Sequence, residues 1–317
     1  MISHIIIYAI VPILAVMLAG FISGKRGVFT DADARKFNKI VLDYALPAAL
    51  FVSIVGANRE QLISDLRLTI VAAIGMMACF MLVYYVFRSF HSNTGAEAAI
   101  AALISGSPTI GFLGFAVLEP IFGTSSRVAL VVAIVGIVVN AISIPTGLSL
   151  LNASISSAGN RPNPFKSVVN ALAQPVAWAP ILAVIWVLLN IPWPSQLSPS
   201  FQLMGKANAS LAVFSAGITL SGITFTINRQ ALLGTFMKMI VMPTVILLLG
   251  MLAHLEPVNL KMLVIATALP PAFSGIIIAD EYGKYVATGT TSLSLSIVAF
   301  TLTCPLWYWV TTLIAHP

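Results

Sequence analysis

Long apolar stretches separated by short charged ones run the length of the chain. From one charged residue to the next, uncharged runs cover 1–24, 44–58, 68–87, 98–118, 128–160, 167–205, 207–228, 239–255, 262–279 and 285–317. All ten have 15 residues or more, near the ~20 apolar residues that carry a helix across a bilayer. They lack the period-2 alternation of barrel strands, which favours helices over a transmembrane barrel. The pattern predicts ten helical segments, at about 4–23, 39–56, 68–87, 97–119, 128–151, 168–190, 207–226, 233–253, 262–280 and 288–313.

Composition turns this pattern into a class. Of 317 residues, 59% are hydrophobic and 8% charged, against roughly 25% charged in soluble domains. Mean hydropathy is +0.99, so too few polar groups exist to cover a globular surface. The expectation is an all-α integral membrane protein. The first apolar segment has no basic residue before it and no clear small-residue cleavage site, and reads as a retained helix. Cys79 and Cys304 both fall in apolar runs and read as packing residues.

The net charge of +6 does not point to nucleic acid in such a chain, because excess cations mark cytoplasmic loops. With the N-terminus outside, Lys25, Arg26, Arg35, Lys36, Lys39, Arg88, Arg161, Lys166, Arg229 and Lys284 are cytoplasmic. Arg59, Arg67, Arg127, Lys206 and Lys261 then face outward. Ten cations against five place both termini on the periplasmic side of a bacterial inner membrane.

Two stretches break the apolar pattern. GKRGVFTDADARKFN, between segments 1 and 2, mixes charges with Val28 and Phe37 and suits an interfacial position. ASISSAGNRPNPFK at 153–166 reads as a cytoplasmic linker. It divides the chain into 1–152 and 167–317, with five segments in each. The halves resemble one another in their prolines. Pro12 and Pro175 are 163 residues apart, as are Pro108 and Pro271, while Pro145 and Pro305 are 160 apart. Five segments per half is odd, so the second copy inserts upside down. That is the inverted-topology repeat of secondary transporters.

Candidate chemistry sits in segments 4 and 9. Segment 4 carries Ser105, Gly106, Ser107, Pro108, Thr109, Ile110 and Gly111 near its middle, and segment 9 carries Pro270, Pro271, Ala272, Phe273, Ser274 and Gly275. Proline removes a backbone donor and clashes with the preceding turn, so an unbroken ninth helix is not expected. Unwound backbone inside a bilayer needs shielding by protein or an aqueous cavity. Breaks at matching positions of inverted halves therefore mark a central site whose half-helix N-termini attract an anion. Packing kinks are the blander reading. Hydroxyls at Ser105, Ser107, Thr109 and Ser274 suit a carboxylate ligand but also suit bonds to their own helix.

Four further polar residues lie inside apolar segments. Lys238 either snorkels to the interface or supplies an inward counter-charge. Asp43, four residues before Pro47, either relays a proton, pairs with Lys238 or faces the interface. Asn140 and Gln174 read first as interhelical hydrogen-bonding residues. Glu97, Glu119, Asp280 and Glu281 fall at predicted helix ends and read as solvated. His4, His91, His254 and His316 share no metal-ligand spacing, and no phosphate-binding loop, nucleophile elbow or cysteine cluster occurs. No cofactor, metal or ATP-driven chemistry is expected, and the chain does not read as an enzyme.

At these same residues the sequence resembles the auxin efflux carrier family, which includes bacterial malonate and malate permeases. The resemblance lies in LDYALPAALFVSI at 42–54, SGSPTIGFLGFAVLEPIFG at 105–123, QPVAWAPILAVIW at 174–186, KMIVMP at 238–243 and ALPPAFSGIIIA at 268–279. It implies ten transmembrane helices in two inverted five-helix repeats, a scaffold and a transport domain, and helices 4 and 9 crossing at their breaks. The family's crossover residues map onto Ser107, Pro108, Thr109, Pro270 and Pro271. Many members carry asparagine at the first crossover where this chain has serine and threonine. Small carboxylates such as malonate, malate or oxalate are therefore expected over indole-acetate, moved by alternating access, with proton coupling and a homodimer left open. A cation/proton antiporter or sodium-coupled anion carrier of similar plan stands as the alternative, and a membrane-embedded lipid-modifying enzyme as a remote one.

Overall fold

A computed structural model describes residues 11–56, 66–90, 94–155, 175–222 and 227–315. Helix accounts for almost all of them: α1 (Val11–Lys25), α2 (Asp31–Val55), α3 (Leu66–Phe90), α4 (Gly95–Ser105), α5 (Ile110–Phe122), α6 (Ser126–Ile155), α7 (Pro175–Leu188), α8 (Ser198–Ser221), α9 (Arg229–Leu252), α10 (Pro257–Thr267), α11 (Phe273–Glu281) and α12 (Val286–Ala315). Five of these, α2, α3, α6, α9 and α12, are long and apolar enough to cross a membrane. The other apolar helices are shorter. At 1.5 Å per residue, the 11 residues of α4 rise about 16 Å, roughly half of a ~30 Å hydrocarbon core.

Some boundaries differ from those predicted, for local reasons. Segment 2 begins earlier, at Asp31, because Thr30 and Asp33 form a reciprocal capping box that starts a helix in the charged stretch. The Asp33 carboxyl accepts from the Thr30 backbone N–H and hydroxyl. The stretch read as interfacial is thus partly the first turns of α2. Segment 7 likewise begins at Ser198, with Pro199 in the first turn, where its missing N–H is harmless. Most of the linker at 153–166 and Gln174 lie outside the described residues, while 153–155 close α6.

Three long helices contain a π-turn: Val41–Ala45 in α2, Val138–Ser143 in α6 and Met237–Val241 in α9. Each is followed within two residues by a proline, at Pro47, Pro145 and Pro243. A proline cannot donate to the carbonyl one turn back and its ring crowds that turn. A widened turn absorbs the mismatch without breaking the helix. In α9 the carbonyl that Pro243 leaves bare, that of Met239, accepts a 2.8 Å bond from Trp307 Nε1 on α12.

The described helices form two compact units, each drawing on both halves of the sequence. The first comprises residues 1–67, 110–136 and 173–223, and the second residues 68–109, 137–172 and 224–317. In the first, α1 and α8 touch backbone to backbone. A Cβ on Gly20 would strike the Phe214 carbonyl, and one on Gly217 the Met17 carbonyl. Phe51, Trp186, Trp193 and Phe201 stack around one another in the same unit.

The second unit is built around α4, from Ala98 to Ile104 almost wholly buried. Its neighbours reach it through glycines. Gly147 of α6 lies against Leu103, while Gly275 of α11 and Gly289 of α12 lie against Ile104. A side chain at Gly275 would press on the α4 backbone itself, whereas one at Gly147 or Gly289 would meet the Leu103 or Ile104 side chain.

Candidate functional site

The second unit holds the two predicted breaks, and they pair with one another. α4 stops at Gly106, whose N–H bonds the Ala102 carbonyl at 2.8 Å. α10 stops at Thr267, and the N–H of Ala268 closes back on Val264. The chain then runs extended through Ser107–Thr109 and again through Pro270–Ala272. Thr109 N–H donates to Pro270 O at 2.8 Å, and Ala272 N–H donates to Ser107 O at 2.9 Å. Pro108 and Pro271 face each other in an isolated antiparallel bridge. They occupy its non-hydrogen-bonded pair, the position at which no N–H is required. The prolines that break the helices are thus the residues that this bridge accommodates without loss.

Ser107 and Thr109 flank Pro108 in this unwound stretch. Both are 1–2% exposed, and neither hydroxyl has a hydrogen-bond partner among the described residues. Leaving a buried hydroxyl unpaired costs about 1–3 kcal/mol. Two such groups on a deliberately unwound segment are a ligand-shaped deficit. Their counterparts elsewhere in the unit are satisfied locally: Thr267, Thr290, Thr291, Ser294 and Ser296 all donate to carbonyls of their own helices.

The remaining predicted residues fall at different distances from this arrangement. Ser105, the last residue of α4, is buried, and its Oγ lies 2.7 Å from where a Cβ on Gly234 would sit. Ser274, in the first turn of α11, is half-buried. Gly275 packs on α4, where a Cβ would come within 2.9 Å of Ile104. Gly111 belongs to the first unit and faces Leu46.

Lys238 is fully buried and does not snorkel. Its Nζ donates to the Thr267 carbonyl at 2.6 Å and lies 3.1 Å from Met242 Sδ. Asp43 and Asn140 are both half-buried, and all three occupy the π-turns described above. Asp43 is in the first unit and Lys238 in the second.

Two hydroxyls escaped the sequence reading. Ser292 of α12 is buried without a partner among the described residues, and its Oγ converges with that of Ser105 on Gly234. Ser143, in the π-turn of α6, is likewise buried and unpaired. The sequence signal for Ser292 was the run TGTTSLSLS at 288–296, unusually polar for an apolar segment. Among the described residues, no three His, Cys, Asp or Glu side chains gather as a metal site.

The chain matches the membrane transport protein family over residues 5–308. It is 49% identical over 306 residues to the uncharacterized transporter YfdV of Escherichia coli K12, covering 96% of this chain and 98% of that one. An uncharacterized transporter of Methanothermobacter thermautotrophicus is 26% identical over 94% of this chain and 96% of its own. Auxin efflux carrier component 1 of Arabidopsis thaliana is 25% identical over 121 residues, 36% of this chain and 20% of the plant protein.

Proposed function

We propose that this chain, which belongs to the membrane transport protein family of the auxin efflux carriers, is a secondary carrier of a small organic anion. The family makes it a multi-pass membrane transporter rather than an enzyme. The finer reading is a permease for a mono- or dicarboxylate such as malonate, malate or oxalate in the bacterial inner membrane. The ten apolar segments would cross it as two inverted five-helix repeats.

The observation that carries this reading is the pair of buried, unpartnered hydroxyls at Ser107 and Thr109 on the bridged breaks. A carboxylate offers acceptor oxygens only, which matches hydroxyl donors that lack an acceptor. α11 starts at Phe273, immediately after the bridge, and its first-turn N–H groups and positive dipole end favour an anion there. No permanent positive charge is then needed to hold the substrate, and its release stays cheap. Alternating access exposes such a site to each side of the membrane in turn.

Counterflow of labelled malonate in proteoliposomes, competed with unlabelled malate, oxalate and indole-acetate, tests the reading. Accumulation suppressed by short dicarboxylates is the expected result. Folded protein that shows no counterflow with any carboxylate contradicts it, and sodium-dependent flux of another solute would favour the cation-coupled alternative.

A further inference from the structure

Lys238 carries an amine into the middle of the second unit without a carboxylate to meet it. Among the described residues no acid forms an ion pair with it. What Lys238 meets is the end of a helix. Thr267 is the last residue of α10, and its carbonyl takes the 2.6 Å bond from Nζ. The final carbonyls of a helix lack intrahelical donors and carry the negative end of its dipole. One of them, that of Val264, is closed by the Ala268 N–H. The Lys238 amine closes Thr267.

The placement is built rather than incidental. The π-turn Met237–Val241, imposed by Pro243, includes Lys238, and the turn is pinned by the Trp307 bond to Met239. α4 ends in the same backbone manner, its Gly106 N–H turning back to the Ala102 carbonyl, and the end of α10 receives the Lys238 amine in addition.

In carriers with discontinuous helices, C-terminal half-helix ends and unwound carbonyls are where a coupling cation is coordinated. We propose that Lys238 is a tethered cation, its ammonium holding at the end of α10 the position that an inorganic coupling ion would otherwise occupy, so that the carrier turns over without Na+. The inference rests on the carrier reading above, but not on which anion is carried.

Thermal unfolding of the purified full-length protein in choline, Na+ or methylammonium salts tests it, alongside counterflow in the same salts. The wild type should show one Tm and one counterflow rate in all three. Lys238→Ala should unfold at lower temperature, lose counterflow by about tenfold or more, and regain Tm saturably with Na+ or methylammonium entering the vacated place. Lys238→Met, which fills the volume without charge, should be inactive and gain nothing from either cation.

Wild-type counterflow that requires Na+ overturns the proposal. So does K238A protein whose Tm ignores both cations, or K238M protein with wild-type counterflow. If K238A does not fold, K238M and the wild-type arm still decide. Absence of any carboxylate flux would sink the carboxylate reading alone, because the Tm arms need no substrate.

Discussion

Ser107 and Thr109 differ from the many other hydroxyls of the second unit in one respect, namely what their oxygens can reach. A serine or threonine inside a helix ordinarily turns to the carbonyl one turn back, as Thr290 and Ser294 do, although Ser292 does not. On extended backbone that partner is gone, and the hydroxyl must be satisfied by something else. Replacing either residue by alanine removes one hydrogen bond to a charged group, worth about 1.5–3 kcal/mol. Counterflow through S107A or T109A should therefore fall by roughly ten- to a hundredfold while the protein still inserts and unfolds at the wild-type temperature. Unchanged flux in both would remove them from the binding site. The residue types were legible in the sequence because the prolines beside them announced an unwound segment. Ser292 was not, since a serine in a helix is ordinarily self-satisfied and only the tertiary approach to Gly234 leaves it bare.

At the scale of helices, proline and glycine decide most of what is distinctive. The breaks at 106–109 and 268–272 follow from covalent facts about Pro108, Pro270 and Pro271, and could be read directly. That the breaks meet was implied by the family resemblance; that they meet as a backbone bridge was not, because it depends on two segments more than 160 residues apart falling in register. The π-turns also escaped notice: Pro47, Pro145 and Pro243 sit in runs that read as uninterrupted helix, and whether such a proline kinks or widens its helix depends on what else can satisfy the freed carbonyl. For Pro243 the answer is Trp307, which gives a test. Trp307→Phe keeps an aromatic in place but orphans the buried Met239 carbonyl, and should cost about 1–3 kcal/mol in denaturant unfolding of the purified protein. Gly275→Val should destabilise by a similar ~1–3 kcal/mol through overpacking, since a Cβ already presses on Ile104 and the α4 backbone. Stability equal to wild type in either variant would contradict the packing described.

Over the whole chain, the ten apolar runs and the scarcity of charge sufficed to identify a helical membrane protein. The resemblance implied a scaffold and a transport domain, but which helices group together was out of reach, because each compact unit takes segments from both halves of the sequence and only tertiary contacts define it. The expected orientation rests on charge alone: ten cations fall in the loops after segments 1, 3, 5, 7 and 9 and five on the other side, and the positive-inside rule puts the richer side in the cytoplasm. Alkaline phosphatase fused to either terminus should accordingly be active, and activity at neither would reverse the topology. The central claim is that the bridged breaks hold a small carboxylate through Ser107 and Thr109. Calorimetric titration of malonate into purified wild type and the S107A/T109A double variant measures it most directly. The account predicts saturable binding to the wild type and its loss in a double variant that remains folded; equal affinity in the two proteins would contradict it.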